Sequence, residues 1–409
     1  MIPYGRQDVS QGDIDSVVEV LRSDWLTQGQ IVPRFEQAVA NYVGAQHAVA
    51  VNSATSALHL ACLALAVGPG DWIWTSPNTF VATANCARYC GAEIDFVDID
   101  PHTYNISIEH LKEKLQKARV SKRLPKVVIP VHFAGQPCDM PAIYELSQEY
   151  GFRVIEDASH AIGAYYSVAR ELNQTRWDHA QDRTSPSDRV MVGSCAHSHI
   201  TVFSFHPVKI ITTGEGGMAL TNDVELAEKL SRLRTHGITT KPDCMISRPP
   251  EEIWNYQQID LGFNYRMTDI LAALGLSQLN RLDDFLAKRH EIATVYDLAL
   301  SELPIICPWQ NPMVHSSYHL YPILVKATDR MVYRQRRVYE SLRARGIAVN
   351  VHYIPVHRHP YYEAMGFKVG DFPVAERFHK EVISLPIYAS LTKDDQDNVI
   401  NTLRVALTT

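Results

Sequence analysis

From about residue 13 to about residue 260, short β-branched apolar runs alternate with stretches that read as helices. That alternation confines the chain to βαβ units around a mostly parallel, buried sheet, an α/β fold. The runs are Ala48–Asn52, Trp72–Thr75, Glu93–Val97, Val127–Val131, Arg153–Glu156, Thr201–Phe205 and Met218–Thr221. Helical stretches such as Thr55–Ala66 and Pro141–Tyr150 lie between them.

A chain of 409 residues exceeds one ordinary core, so two domains are expected. Residues 1–12 read as an N-terminal arm and 13–260 as the large domain. Residues 261–409 read as a smaller α+β domain entered through a helical stretch, Thr268–Arg289, with strands near Tyr318–Lys326 and Ala348–His352. Residues 166–190 are polar and aperiodic and read as a surface insertion. A net charge of −6 and the lack of a long Lys/Arg run argue against a nucleic-acid partner. The short basic stretch Arg334–Arg337 reads as the solvated side of a helix. The seven cysteines are dispersed, with no CxxC pair, which fits a reducing cytoplasm. The polar start is no signal peptide, and no apolar run approaches membrane-spanning length.

Ligands of open parallel sheets sit outside the carboxyl ends of the strands, so the residues after each strand matter most. Asn52-Ser53-Ala54-Thr55-Ser56 opens a helix. Its free N–H groups could hold a phosphate, or Ser53 could be a plain N-cap. Micromolar binding needs about 8 kcal/mol, well beyond the ~0.3–2 kcal/mol of a helix dipole, so such a site needs other contributors. Phe80 follows the second strand, either to stack on a flat ring or to fill the core. His132 follows the fourth, either as a site residue or, the favoured reading, as part of a structural turn. Glu156-Asp157-Ala158-Ser159-His160 follows the fifth. Asp157 there could cap the next turn, or pair with a protonated ring nitrogen and keep a pyridine cationic. Lys209 follows the sixth, between Val208 and Ile210-Ile211. Most lysines are solvated, but one in apolar surroundings is suited to imine formation.

Two other patterns lead elsewhere. Gly214-Glu-Gly-Gly-Met-Ala219 fits a loose dinucleotide fingerprint, yet runs into a strand rather than a helix. Cys195/His197/His199 and His352/His357/His359 lack a specific zinc spacing, so no metal is expected.

Taken together, Asn52-Ser-Ala-Thr-Ser, Phe80-Val-Ala-Thr-Ala-Asn85, Glu156-Asp-Ala-Ser-His160 and Ser204-Phe-His-Pro-Val-Lys209 resemble the DegT/DnrJ/EryC1/StrS sugar aminotransferases, which have the pyridoxal-phosphate fold type I. The resemblance runs from Trp25 to Leu391. It implies a pyridoxal 5'-phosphate cofactor held by Lys209 as a Schiff base, with Asp157 at the pyridine nitrogen and His160 near the phenolic oxygen. It also implies Phe80 stacked on the ring, and Ser53, Ala54, Thr55 and Ser204 around the phosphate. Asn264 or Arg266 would reach the phosphate of a neighbouring subunit in a homodimer with shared sites. Val351–His357 and Pro360–Tyr362 resemble the branch that makes pseudaminic acid precursors. That branch implies L-glutamate as donor and a UDP-linked 4-keto-6-deoxy-N-acetylhexosamine as acceptor, with Thr27, Gln28, His352 and Tyr353 on the substrate side. Other expectations are a different UDP- or dTDP-ketosugar, or a regulatory protein that binds the cofactor without turnover. A sugar dehydratase of the same family would carry histidine where this chain has Lys209.

Overall fold

The computed structural model describes residues 1–168, 188–247, 252, 254–326 and 334–408. Seven strands form the main sheet: β1 (His47–Val51), β2 (Trp72–Thr75), β3 (Glu93–Phe96), β4 (Val127–Ile129), β5 (Arg153–Asp157), β6 (Ile200–Ser204) and β7 (Gly217–Thr221). Their order is β1-β7-β6-β5-β4-β2-β3. All neighbours are parallel except β7, which runs antiparallel to both β1 and β6. Each of the seven apolar runs is therefore a strand of this one sheet.

Successive side chains of a strand point to opposite faces, and this splits the buried residues into two cores. Ala50, Trp74, Val128, Val154, Phe203 and Met218 pack with the helices Ile31–Val43, Met140–Tyr150 and Asp269–Leu279. Val49, Val51, Ile73, Val127, Ile155 and Val202 pack with Ala54–Ala64, Ala82–Tyr89 and Val224–Arg234. The result is three layers, helix–sheet–helix. A third core joins Ile292, Tyr296, Tyr321, Ile323, Val349, Ile383 and Leu403 to Ile2. The helix Leu282–Leu300 links two cores. Its first half (Leu282, Phe285, Leu286) enters the first core, and its second half (Ile292, Ala293, Tyr296) enters the third. The start of the chain also joins this part of the molecule: Ile2–Pro3 pairs in parallel with Ile347–Ala348.

The ends of the expected insertion pair with each other, Tyr165–Ser167 against Arg189–Met191, and Val314–His315 adds a third strand. Residues 169–187, most of that insertion, lie outside the described residues. One expectation needs correcting. Arg334 opens the helix Arg334–Ala344 but is buried, its guanidinium donating to the Leu407 carbonyl, while Arg336 is exposed. A solvated face thus describes only part of the basic stretch. Among the described residues no helix is long and apolar enough to cross a membrane.

Candidate active site

The functional side chains gather along the sheet edge where β1, β2, β4, β5 and β6 end. Because β7 is antiparallel, its first residue lies on this same edge. Gly217 sits opposite Val51 on one side and Ser204 on the other. Two strand spacings thus put Ser204 roughly 10 Å from the end of β1. The helix Ala54–Ala64 begins in the gap. Ser53 is its N-cap and accepts from the Ser56 N–H, while Ser56 donates to Asn52 Oδ1. The N-cap reading is therefore correct for Ser53. It leaves the phosphate reading open, since the Ala54 and Thr55 N–H groups still lie in the helix's first turn. The approach of β7 demands glycine. A Cβ at Gly217 would stand 2.5 Å from the Ser53 carbonyl carbon and 2.7 Å from Ala54 Cα.

Asp157 ends β5 and is buried. Its Oδ1 accepts from the Ser159 N–H at 3.1 Å, and its Oδ2 from the Thr83 hydroxyl at 2.6 Å. Glu156 points to the opposite face and does a different job. Buried there, it accepts from Thr201 at 3.0 Å and meets His132 Nε2 at 2.9 Å. Desolvation raises its carboxyl, but hydrogen bonds from His132, Ser198 and Thr201 prevail and hold it below the usual range. His132 Nδ1 accepts the Cys138 N–H, so Nε2 carries the proton donated to Glu156. His132 is thus structural, as its turn suggested.

Lys209 lies in the loop between β6 and β7, half-buried beside the buried Ile210 and Ile211. Desolvation lowers its ammonium from the ordinary 10.5 to about 8, against an opposing pull from the Asp157 charge. The ammonium in turn acts on His160, His319 and His352. Desolvation holds His160 well below its ordinary value, and Lys209, His352 and His132 add to the shift. His352 falls to about 3 through desolvation and the Lys209 charge. All three imidazoles are therefore neutral near pH 7. His160 Nε2 hydrogen bonds to the Tyr353 hydroxyl at 3.1 Å, and His352 Nδ1 to Ser384 at 2.9 Å. Phe80 is exposed, its ring 6.3 Å from that of Tyr353. It lines the cleft rather than the core.

The other expected residues lie further out. Thr27 and Gln28 are exposed in the loop before Ile31–Val43. Asp269 anchors that loop's far end by accepting the Val32 N–H at 3.1 Å. The 264–266 segment runs beside the edge of β1: Thr235 bridges Asn264, Val51 bridges Arg266, and Asn52 donates to the Tyr265 carbonyl. Asn264 is exposed. The histidine clusters are otherwise engaged: His197 with Tyr166, His199 with the Val154 N–H, and His357 with Glu376.

Two residues beside the cleft carried no sequence signal on their own. Thr83 is linked to Asp157, 74 positions away, only through the sheet. His319 lies against His160 with ring centroids 4.3 Å apart and the planes tilted by 39°. A helical i, i+4 reading of Thr79 and Thr83 could have marked the first.

These residues suit pyridoxal phosphate. Gly217 lets β7 approach the small residues at the start of Ala54–Ala64 so closely that a Cβ would collide with their backbone, which holds the helix start at the end of the sheet. The buried His160 Nδ1 has no hydrogen-bond partner among the described residues. The cleft also supplies an amine of lowered pKa, a buried carboxylate and an exposed aromatic face.

Known proteins resemble this chain over nearly its whole length. The family model described as the DegT/DnrJ/EryC1/StrS aminotransferase family matches residues 7–404. The spore coat polysaccharide biosynthesis protein SpsC of Bacillus subtilis is 40% identical over 405 residues, covering 98% of this chain and 96% of that protein. A UDP-4-amino-4,6-dideoxy-N-acetyl-β-L-altrosamine transaminase of Campylobacter jejuni is 36% identical over 406 residues, with 98% and 96% covered. Helicobacter pylori PseC, an aminotransferase of pseudaminic acid biosynthesis, superposes with a TM-score of 0.84 at 30% identity, covering 100% of this chain and 99% of that one. The putative sugar aminotransferase Spr1654 of Streptococcus pneumoniae, in its PLP form, also gives 0.84 at 27% identity, with 100% and 98% covered. The chain belongs to the DegT/DnrJ/EryC1/StrS aminotransferase family, pyridoxal-phosphate enzymes that aminate sugar nucleotides.

Proposed function

We propose that this enzyme transfers the amino group of L-glutamate to the C4 ketone of a UDP-linked 4-keto-6-deoxy-N-acetylhexosamine, yielding a 4-amino sugar nucleotide for a surface glycan of the pseudaminic acid type. The observation that carries the reading is full-length similarity to two proteins named for that pathway, one by sequence and one by fold. The spore coat relative is compatible with a surface polysaccharide destination.

Pyridoxal phosphate, when bound, supplies an electron sink and carries the amino group from donor to acceptor. In this reading Lys209 is the amine that holds the cofactor. When free, the same amine would serve as the base that takes a proton from the amino donor. A value of about 8 keeps a useful fraction of it unprotonated near neutrality. Asp157 keeps the pyridine nitrogen protonated. His160, neutral and steadied by Tyr353, would offer its unpartnered Nδ1 to the cofactor's phenolic oxygen. Phe80, exposed, would cover one face of the ring. Ser53, Ala54, Thr55 and Ser204 hold the phosphate, joined by Asn264 or Arg266 from a second subunit of a homodimer. Thr27, Gln28, His352 and Tyr353 face the sugar nucleotide.

The test is mass analysis of products from UDP-, dTDP- and GDP-linked 4-ketosugars incubated with glutamate. The reading predicts preferred amination of the UDP-N-acetyl substrate. Preference for a dTDP or GDP sugar would overturn the substrate. A cofactor spectrum unmoved by any amino donor would point to a binder without turnover.

A further inference from the structure

The Asp157 carboxylate is held by a chain of hydroxyls that the reaction as described does not use. Thr83 Oγ1 stands 2.6 Å from Asp157 Oδ2, and Thr79 Oγ1 stands 2.8 Å from Thr83 Oγ1. All three residues are buried. An ionised carboxylate can only accept, so the Thr83 proton points to Asp157. Thr83 must then accept from Thr79, which fixes the order Thr79 to Thr83 to Asp157. The Ser159 N–H occupies the other oxygen at 3.1 Å. Two of the four lone-pair directions are thereby used.

The same short segment carries Phe80. Thr79 and Thr83 flank it, and the Thr83 N–H donates to the Phe80 carbonyl at 3.2 Å. One turn thus sets both the aromatic face and the carboxylate.

We infer that Thr83, seated by Thr79, is a positioning residue that fixes the Asp157 carboxylate by a donated hydrogen bond and so favours the proton on the cofactor's pyridine nitrogen. The inference rests on the reading of Asp157 given above. Its physical content is a partition of one proton between ring nitrogen and carboxylate. A hydrogen bond donated to the charged carboxylate is stronger than one donated to the neutral carboxyl, so it favours the form in which the nitrogen keeps the proton. Removing that bond shifts the partition toward the carboxyl by about tenfold or more.

The experiment loads wild type, Thr83→Val, Thr83→Ser and Asp157→Asn with cofactor labelled with 15N at the pyridine position. The nitrogen's chemical shift is then read by NMR. Valine keeps the shape of threonine without the hydroxyl, so a merely structural role would leave the nitrogen signal where it was. The inference predicts that Thr83→Val moves the signal toward neutral pyridine and that Thr83→Ser restores it. A Thr83→Val signal matching wild type, with Asp157→Asn strongly displaced, would overturn the role of Thr83 and leave that of Asp157 standing. A nitrogen still protonated in Asp157→Asn would overturn both. Should Thr83→Val fold poorly, Thr79→Val gives a second reading: a smaller displacement in the same direction supports the chain, and none overturns it.

Discussion

Replacing Gly217 with alanine should weaken cofactor binding by about tenfold to a hundredfold. The added methyl would lie 2.5 Å from the Ser53 carbonyl carbon and 2.7 Å from Ala54 Cα. Carbon atoms rest at about 3.5 Å or more, so the helix start and β7 must part by about 1 Å. The obstructing atoms are backbone, so no side chain can swing aside. Gly217 is also pinned on both flanks by pairing to Val51 and Ser204, so the displacement falls on the start of Ala54–Ala64. A phosphate bound there would see a donor move from about 2.8 Å to nearly 4 Å. One charge-assisted hydrogen bond of about 1.5–3 kcal/mol is lost, and each 1.4 kcal/mol is about a factor of ten. The assay is a titration of cofactor-free protein with pyridoxal phosphate, followed by absorbance. Gly68→Ala is the control, because nothing lies within 4 Å of its added carbon. An unchanged dissociation constant in a folded Gly217→Ala protein would refute the phosphate site.

Other outcomes follow from the same geometry. Lys209 carries a positive charge that the fold disfavours, since its value falls from 10.5 to about 8. That penalty is fully present below pH 8 and fades as pH rises toward 10.5. Lys209→Met should therefore stabilise the cofactor-free protein at pH 7 by about 1–2 kcal/mol, allowing for partial solvent contact. Denaturation at pH 7 and pH 10.5 should show the gain shrinking, and a gain that grows with pH would contradict the assignment. The same titration predicts that the rate of cofactor capture rises with pH and levels off above about 8; a flat profile from pH 6 to 9 would argue against it. His132→Ala strands the buried Glu156 carboxylate and should cost about 3–5 kcal/mol in urea unfolding. Tyr353→Phe removes the hydrogen bond to His160 Nε2, beside an Nδ1 that already lacks a partner among the described residues, and should lower kcat/KM by about ten- to a hundredfold. Cofactor affinity should stay near wild type, and full activity in Tyr353→Phe would remove that hydrogen bond from the account.

The apolar runs were legible because a strand buried on both faces needs continuous β-branched or aromatic residues, and each such run became part of the main sheet. The chemistry at its edge was legible for the same reason: Asp157 and Lys209 directly follow such strands. What stayed hidden depends on contacts far apart in the chain. Nothing local to Ile2–Pro3 announces a partner at Ile347–Ala348. Thr83 looks like an ordinary helical threonine until β5 brings Asp157 beside it. Arg334 carries a charge that suggests solvent, yet the last helix supplies a carbonyl that lets it be buried. Phe80 was open between core and ring-stacking from sequence; its exposure follows from its position on the loop before Ala82–Tyr89, where it points away from the second core.

The claim on which the rest depends is that Lys209 is the residue that binds the cofactor. Borohydride reduction of the cofactor-loaded enzyme, followed by peptide mass mapping, tests it directly. The account predicts a single phosphopyridoxyl label on the peptide containing Lys209, and none in Lys209→Ala. A label on another lysine, with Lys209→Ala still turning over, would contradict it.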